Sequence, residues 1–302
     1  HGGEKFIHPV VIDDHVLNEL ASLNSLAPLH QPYHLIGIQA LTNFIPTLLQ
    51  VACFDTAFHA NQPEIAKAYA LPEEISPIPI KRYGFHGLSY EYIASVLPNY
   101  LGLEKSKGKI IIAHLGHGAS MCALENQKSV ATTMGFTALE GLPMGTRAGN
   151  IDPGIILYLL DIGMTKEKIS DLLYNHSGLL GMSKISSDVR TLLSSKQPLA
   201  EKAISHFIYR VQRELGSLVA ALDGLDSLIF TAGIGENSPE IRSRICQQHW
   251  LPIQLNHEKN QKNDYKISQE NSKIDVWVIP TNEEIILATK TFALWQKNNP
   301  LF

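Results

Sequence analysis

Strand-like and helix-like segments alternate along this chain, and that alternation constrains the fold more than any other feature. Residues 109–120, KIIIAHLGHGAS, form a β-branched run that leads into glycines. Residues 201–222 carry apolar side chains three and four positions apart, which predicts a long helix. Strand, turn and helix patterns follow at 227–245 and 273–295. The order predicts an α/β architecture, and 302 residues with 44% apolar content suit two domains, or alternatively one large domain.

The longest apolar region, residues 34–54, is interrupted by polar residues and a proline. It predicts a helix followed by a buried strand over 48–58 that ends at Asp55, rather than a membrane span. Residues 251–272 are polar and predict a surface loop or short edge structure. The net charge of −4, with scattered basic residues, argues against nucleic acid or an anionic membrane as a partner. The three cysteines have no metal-binding spacing, which favours reduced thiols in a cytoplasmic protein.

Arg147 lies in the loop GLPMGTRAGNIDPG at 141–154, directly before a helix start at Asp152 and Pro153. The guanidinium is a planar, permanently charged fork, and backbone N–H groups near a helix start also favour an anion. The loop therefore predicts a phosphate site. An ordinary ion pair of Arg147 with Glu140 or Asp152 is the alternative.

Two glycine turns directly follow apolar strands, at 114–120 and 231–238. Glycines let a phosphate approach the backbone, and ligands bind at strand ends in α/β sheets. Neither turn has the Gly-Lys-Ser/Thr of a Walker A loop. Each turn is also compatible with a tight strand–helix connection, but two in one chain favour a nucleotide site. In the second turn, Ser238 is predicted to cap a helix that starts at Pro239.

Several single residues have both a chemical and a structural interpretation. Asp55, at the predicted end of a strand, could hold magnesium, orient a nucleophile or cap the next segment. His86 and His30 are either site residues or packed histidines. Glu283 and Glu284 follow Thr281 and Asn282, one of which is predicted to cap a helix.

Taken together, these segments resemble the acetate kinase family. The matching runs occur in family order between residues 1 and 284: HGGEKF, LAPLH, FDTAFH, RYGFHG, HLG-GAS, MGFTALEGLPMGTRAGNIDPG, SGLLG, SDVR, FTAGIGENS and IPTNEE. The resemblance implies the two-domain α/β fold of hexokinases, actin and heat-shock ATPases. It implies ATP:acetate phosphotransferase activity with ATP and ADP as substrates, and a cytoplasmic homodimer that binds neither nucleic acid nor membrane.

The same resemblance implies roles for individual residues. Catalytic roles fall on Asp55, Arg147, His86 and His30. Nucleotide contacts fall on His114, Gly116, Gly118, Asp188, Arg190, Gly233, Ile234, Gly235 and Asn237. Glu283 matches a glutamate linked to Mg²⁺ (or Mn²⁺). The implied division is 1–56 for the remainder of the N-terminal domain, 57–280 for the second, nucleotide-binding domain and 281–302 for a C-terminal helix that returns to the first.

The sequence also departs from the family pattern. The family normally has a phosphate loop and an acetate-holding arginine upstream of HGGEKF, so we expect an incomplete first domain. His117 stands where Asn is usual, Ala131 and Asn150 where Asp is usual, and Leu88 and Tyr90 where Thr and His are usual. The alternatives are therefore a propionate kinase, a non-catalytic nucleotide-binding protein on the same scaffold, or a structural fragment that binds no ligand.

Overall fold

The computed structural model describes residues 1–28 and 30–299. The strands are β1 (Val10–Val11), β2 (Val51–Ala52), β3 (Ile110–Leu115), β4 (Ala119–Glu125), β5 (Lys128–Thr132), β6 (Ser227–Thr231) and β7 (Asp275–Val278). The helices are α1 (Asp14–Ser22), α2 (Gln31–Phe44), α3 (Glu64–Lys67), α4 (Gly87–Leu101), α5 (Pro153–Asp161), α6 (Lys166–Asn175), α7 (Gly178–Ser183), α8 (Val189–Ser194), α9 (Pro198–Leu222), α10 (Ala232–Asn237), α11 (Pro239–Cys246), α12 (His257–Gln261) and α13 (Glu283–Asn298). The described residues include no helix both long and apolar enough to cross a bilayer.

A five-stranded sheet in the order β5-β4-β3-β6-β7 organises most of the chain. The pairs β3–β6 and β6–β7 are parallel, whereas β3–β4 and β4–β5 are antiparallel. A separate two-stranded antiparallel sheet joins β1 to β2. The predicted α/β class is therefore confirmed, and β3 lies at the centre of the large sheet.

Helices cover both faces of this sheet. Because side chains alternate along β3, successive residues of the strand pack into opposite cores. Ile111 and Ala113 belong to the core that contains the α9 residues Phe207 and Val211. Ile110 and Ile112 belong to the opposite core, which contains the α4 residue Ile93. Burial on both faces explains why β3 is a continuous apolar run rather than an alternating one.

Local signals for helix starts are confirmed. The Asp152 side chain accepts a hydrogen bond from Gly154 N, and Asn282, not Thr281, caps α13 by accepting from Ile285 N. Helix α11 starts at Pro239 with Ser238 as its N-cap residue, although the Ser238 side chain makes no capping bond. The long helix α9 covers the predicted range and extends three residues upstream.

Other segments differ from the prediction. The strand expected over 48–58 is only Val51–Ala52 and is half-buried. The turn at 116–118 joins β3 to antiparallel β4, so it is a hairpin rather than a strand–helix connection. Residues 232–237 form helix α10 rather than a plain turn. The polar segment 251–272 contains α12, isolated bridges and the fully buried Ile267, which packs with the main core.

Candidate active site

The two glycine turns lie side by side. Residues His114 and Thr231 are paired at the ends of the parallel strands β3 and β6, and each turn begins directly after its strand. Both turns therefore open at the carboxyl edge of the sheet, where parallel α/β sheets bind ligands. This shared edge could not be deduced from one turn alone.

Arg147 is held in a loop that is tied to the start of α7. Met144 N donates to Arg147 O at 3.0 Å, which closes the turn. Ser177 N donates to Thr146 O at 2.9 Å and Leu179 N to Met144 O at 2.9 Å. These bonds fix the backbone of Arg147 before any ligand binds.

The Arg147 guanidinium has no carboxylate partner within 4.0 Å among the described residues. Its Nη1 donates to Ala138 O at 3.2 Å and contacts Met144 Sδ at 3.6 Å. The ion-pair alternative is therefore wrong. Glu140 instead pairs with Arg82 at 2.8 Å, and Asp152 caps α5. Burial lowers the pKa of Arg147, but a guanidinium stays charged in proteins, so its remaining donors are available to an anion.

His86 faces the same point as Arg147. A Cβ built on Gly118 would lie 3.1 Å from His86 Nε2 and 3.8 Å from Arg147 Nη1. The ring of His86 stacks on that of His114 with centroids 4.2 Å apart, and its Nδ1 lies 2.8 Å from Ser120 Oγ. Desolvation, followed by the charge of Arg147, lowers the pKa of His86 to about 3. The imidazole is therefore neutral near pH 7.

His114 is positioned by the same kind of contact as His86. Its Nδ1 lies 2.8 Å from Ser89 Oγ, which is itself 2.8 Å from Thr281 Oγ1. Burial lowers the pKa of His114 well below its ordinary value. This chain of contacts links β3 to the segment that precedes α13.

Asp55 caps α4 from outside that helix. Its Oδ2 accepts from His86 N at 2.7 Å, and its Oδ1 accepts from Leu88 N at 3.4 Å. Its carbonyl oxygen accepts from Gly87 N at 2.8 Å. A carboxylate at a helix N-terminus is stabilised by the unpaired N–H groups there. Asp55 therefore acts as a cap, as its structural interpretation predicted, but it caps a helix 32 residues further on rather than the next segment. The same bonds bring Asp55 to the backbone of His86.

The pKa values of Glu283 and His30 respond to charged groups of this site. Burial, and then the charge of Asp55, raises the pKa of Glu283, the first residue of α13. Partial desolvation, and then the charge of Arg147, lowers the pKa of His30, an exposed residue that precedes α2. Leu29, the neighbour of His30 in LAPLH, lies outside the described residues.

Asp55 and Glu283 have the ligand chemistry that magnesium prefers. Mg²⁺ is bound in phosphoryl-transfer sites by one or two carboxylates together with substrate phosphates and water. The charge of Asp55 and the burial of Glu283 both raise the pKa of Glu283, so its ionised form is costly without a cation. Three or more His, Cys, Asp or Glu side chains do not cluster as a metal site anywhere in the described ranges, so an ion here would depend on substrate oxygens for further ligands.

A cavity of about 340 Å³ opens at the two glycine turns. It is lined by Gly116, His117, Ser187, Asp188, Val189, Arg190, Gly233, Ile234, Asn237 and Ser238. Six of the predicted nucleotide residues therefore share one cavity: Gly116, Asp188, Arg190, Gly233, Ile234 and Asn237. Three others lie outside its lining, because Gly118 faces His86 and Arg147, His114 is buried beneath His86, and Gly235 is buried beside β6.

Asp188 shapes one wall of the cavity. Its Oδ1 accepts from Arg190 N at 2.7 Å and caps α8, and its Oδ2 pairs with Arg190 Nη2 at 3.1 Å. His117, one of the departures from the family pattern, is exposed, and its carbonyl accepts from Gly145 N at 3.1 Å. His117 is also one of the residues that line the cavity.

Sequence reasoning missed Glu236. Its Oε1 accepts from Ala232 N at 2.7 Å and from Thr281 N at 3.1 Å. Ala232 has φ of +65°, a left-handed conformation that is unfavourable for alanine, so the carboxylate stabilises the sharp entry into α10. An acid inside the second glycine turn, TAGIGENS, was the available signal. Its contacts join the second glycine turn to the residues before Glu283.

Comparison with known sequences gives a consistent picture. The sequence profile of the acetokinase family matches residues 1–289. The acetate kinase of Rhodopseudomonas palustris strain TIE-1 is 52% identical over 298 residues, covering 97% of this chain and 75% of that protein. The acetate kinase of Rickettsia akari is 50% identical over 290 residues, covering 95% and 75% respectively.

Solved structures agree with the sequence relatives. The acetate kinase of Porphyromonas gingivalis superposes with a TM-score of 0.89 at 38% identity, over 98% of this chain and 76% of that one. A propionate kinase from Francisella tularensis superposes with a TM-score of 0.90 at 38% identity, over 96% and 76% respectively. The fold expected from the resemblance is therefore confirmed.

Proposed function

This chain belongs to the acetokinase family, and we propose from that membership and from the site that it transfers the γ-phosphoryl group of ATP to the carboxylate of acetate. The products are acetyl phosphate and ADP, and the reaction is reversible. The observation that carries the proposal is the convergence of His86 Nε2 and Arg147 Nη1 on Gly118, beside the cavity lined by Asp188 and Gly233.

The chemical step needs little from the protein beyond placement and charge. An acetate oxygen attacks the γ-phosphorus, a new P–O bond forms, and the bond to the β–γ bridging oxygen breaks. The electron pair of the broken bond stays on that oxygen, which leaves as part of ADP. Acetate is already ionised at neutral pH, so no proton has to be removed from it. Catalysis therefore consists of aligning two anions and stabilising the phosphoryl group between them.

Arg147 is proposed to stabilise that phosphoryl group. Its backbone is fixed by the bonds to residues 177–179, and its guanidinium lacks a carboxylate that would compete for it among the residues described here. A pre-organised cation of this kind acts where charge develops in the transition state. His86, being neutral, donates a hydrogen bond without adding a second cation beside Arg147.

Asp55 and Glu283 are proposed to hold Mg²⁺ or Mn²⁺, which supplies charge neutralisation of the β- and γ-phosphates when bound. Asp55 also fixes the backbone N–H of His86, so one carboxylate would relate the metal side of the site to the histidine. His30, whose pKa responds to Arg147 and Asp55, is proposed to face the acyl side.

The cavity at α8 and α10 is proposed to hold adenosine. Gly233 and Ile234 of α10, and Asp188 and Arg190 at the start of α8, all line it. A Cβ built at Gly233 meets no atom within 4 Å, so the backbone there is open to a ligand. His114, Gly116, Gly118, Gly235 and Asn237 would complete the nucleotide site from the two glycine turns.

Acetate and propionate differ by one methylene. In an apolar pocket one methylene changes the free energy that discriminates two substrates by only about 1–3 kcal/mol. Solved acetate and propionate kinases superpose on this chain equally well. We propose acetate because the sequence relatives near 50% identity carry that name. A non-catalytic nucleotide-binding role is the second candidate, motivated by His117 and Ala131.

We further propose a cytoplasmic homodimer with the domain division 1–56, 57–280 and 281–302, of which residues 300–302 lie outside the described part. Self-association is supported by α5, which has no buried residue and exposes Ile155, Leu157 and Tyr158 at 45%, 64% and 62%. Several large exposed apolar side chains on one helix favour a protein–protein contact.

The test is direct detection of the acyl phosphate. The intact protein is incubated with ATP, Mg²⁺ and acetate, and acetyl phosphate is trapped as its hydroxamate. Formation of hydroxamate that depends on all three components supports the kinase. Binding of ATP without hydroxamate, from acetate or propionate, contradicts it and favours the non-catalytic candidate. Absence of both product and an ATP-induced thermal shift favours a structural role.

A further inference from the structure

We infer that Glu140 is a positioning residue: it fixes the loop of residues 135–141, and this loop orients the guanidinium of Arg147. The carbonyl oxygen of Ala138, in the middle of the loop, accepts a hydrogen bond from Arg147 Nη1. The catalytic meaning of this inference rests on the proposed function, in which Arg147 stabilises the transferring phosphoryl group.

The direction of the Arg147 guanidinium depends on Ala138. Arg147 Nη1 donates to Ala138 O at 3.2 Å and contacts Met144 Sδ at 3.6 Å. A thioether sulfur is a weak acceptor, so the carbonyl makes the directional bond. The bonds between the Arg147 loop and α7 fix the backbone of Arg147, but an arginine side chain has several rotatable bonds beyond its Cα. A shift of Ala138 would therefore turn the guanidinium even with that backbone in place.

The loop of residues 135–141 has little backbone support of its own. It lies between β5 and α5, outside helices and strands. Apart from the bond that Ala138 accepts from Arg147, the backbone of residues 136–140 makes one hydrogen bond to the rest of the described chain, from Phe136 N to Tyr69 Oη at 3.0 Å. The position of the loop is therefore set mainly by side chains.

The carboxylate of Glu140 provides that support. It accepts from Arg82 Nη2 at 2.8 Å and from the hydroxyl of Tyr69. Arg82 Nη1 also donates to Thr133 O at 3.3 Å, so one guanidinium is bonded on both sides of the loop. A Cβ built on Gly135 would overlap Glu140 Oε2 and Tyr69 Oη, which means that Glu140 folds back over the start of its own loop. The carboxylate thus closes the loop.

A carboxylate suits this place because it has an acceptor oxygen for each of the two donors, Arg82 and Tyr69. The side chains of Arg82 and Glu140 are 19% and 30% exposed, so solvent screens their pair only in part. A glutamine at position 140 would have a single acceptor oxygen and would turn its N–H groups toward one of the donors. Glu140→Gln therefore removes part of the support without creating a cavity.

The first test observes the Arg147 guanidinium without turnover, in ¹⁵N spectra of the ¹⁵N-arginine-labelled full chain. A guanidinium held by a hydrogen bond rotates slowly about its Cζ–Nε bond and shows separate Nη signals, whereas a released one shows one averaged signal. The Arg147 signals are those lost in Arg147→Lys. We expect separate signals in the unmodified protein and an averaged signal in Glu140→Gln.

Two further variants complete this test. If Glu140→Gln does not fold, Tyr69→Phe removes one donor to Glu140 and the acceptor of Phe136 N, keeps a ring next to Arg82, and should give the same averaging. The matched control is Glu201→Gln, which breaks an ion pair of 2.6 Å with Arg244 between α9 and α11. Glu201→Gln should leave the Arg147 signals separate.

The second test uses acetyl phosphate formation. Glu140→Gln should lower kcat by about tenfold or more, because a misplaced cation stabilises the transferring group poorly. The KM for ATP should stay within about twofold, because residues 135–141 do not line the nucleotide cavity. In Arg147→Ala, the added Glu140→Gln change should alter kcat by less than about twofold, since the side chain through which Glu140 acts is gone.

Three results would overturn the inference. They are an averaged Arg147 signal in the unmodified protein, separate Arg147 signals in both Glu140→Gln and Tyr69→Phe, and an equal fall of kcat from Glu140→Gln with and without the Arg147 side chain. The spectra also decide for a protein that forms no acetyl phosphate. Averaging in Glu140→Gln would then support this inference, although the proposed function would have failed.

Discussion

A Cβ atom at Gly178 would lie 2.7 Å from the carbonyl oxygen of Arg147 and 2.2 Å from that of Met144. Gly178 also has φ of +58°, where only glycine is free of strain. The start of α7 can therefore pack under the Arg147 loop only because this position has no side chain. The residue that orients the cation is a glycine 31 positions away.

Gly178→Ala should consequently displace the Arg147 loop. We expect a loss of unfolding free energy of about 1–3 kcal/mol from backbone strain and a fall in kcat of at least about tenfold. The control is Gly163→Ala, which has φ of +88° but meets no atom within 4 Å. That variant should lose stability and keep its kcat. Equal kcat values for the two variants would contradict the proposed role of Gly178.

Arg147→Ala should remove the cation at the transferring phosphoryl group. We expect kcat to fall by about 10³-fold or more, because arginines in this role contribute roughly 10³–10⁵ in rate. Nucleotide affinity should change little, since the cavity at Asp188 and Gly233 does not include Arg147. Steady-state kinetics and ATP titration separate the two. Arg213→Ala, which removes an exposed arginine of α9, should behave as the unmodified protein, and near-normal turnover in Arg147→Ala would refute the assignment.

Glu283→Gln should weaken the use of magnesium. The neutral amide cannot replace a carboxylate ligand, so the Mg²⁺ concentration that gives half-maximal activity should rise about tenfold or more. Glu284→Gln is the matched control, because Glu284 is the exposed neighbour in the same first turn of α13. Chelation of the metal should abolish turnover in all three proteins. Identical Mg²⁺ curves for Glu283→Gln and Glu284→Gln would place the metal elsewhere.

His59 should make stability fall with acid. It is fully enclosed, with Nε2 3.0 Å from Phe85 O and Nδ1 2.9 Å from Ser129 Oγ, and desolvation lowers its pKa from 6.5 to about 4. Between these pH values His59 binds a proton in the unfolded chain but stays neutral in the folded protein. The free energy of unfolding should therefore decrease as pH falls from 6.5 toward 4, by about 3 kcal/mol from this group at 1.36 kcal/mol per pH unit.

Urea denaturation at several pH values measures this slope. His59→Gln, although less stable overall through altered bonding, should show a shallower pH dependence over that interval. His249→Gln, at an exposed histidine, should retain the slope of the unmodified protein. A His59→Gln slope as steep as the original would mean that other groups cause the acid sensitivity.

Much of the local structure could be predicted because its causes are local. Asp152 and Asn282 cap their helices by accepting hydrogen bonds from residues two and three positions further on. The apolar spacing of α9 and the β-branched run of β3 likewise depend on neighbours in the chain. Colinear motifs indicated the family, and Arg147, His86 and Asp55 were candidates before their positions were known.

The sequence by itself determined the order of strands and helices, the helix starts and the identity of the family, since those depend on short-range patterns and on residue types in order. Only the tertiary structure decided that Asp55 caps α4, that Gly178 lies beneath Arg147 and that Tyr69 and Arg82 meet at Glu140. These contacts join segments 30 or more residues apart, and no local periodicity specifies which buried donor will meet which acceptor. That pairing follows from the packing of α4 and α7 around the sheet, where most buried polar groups find a partner.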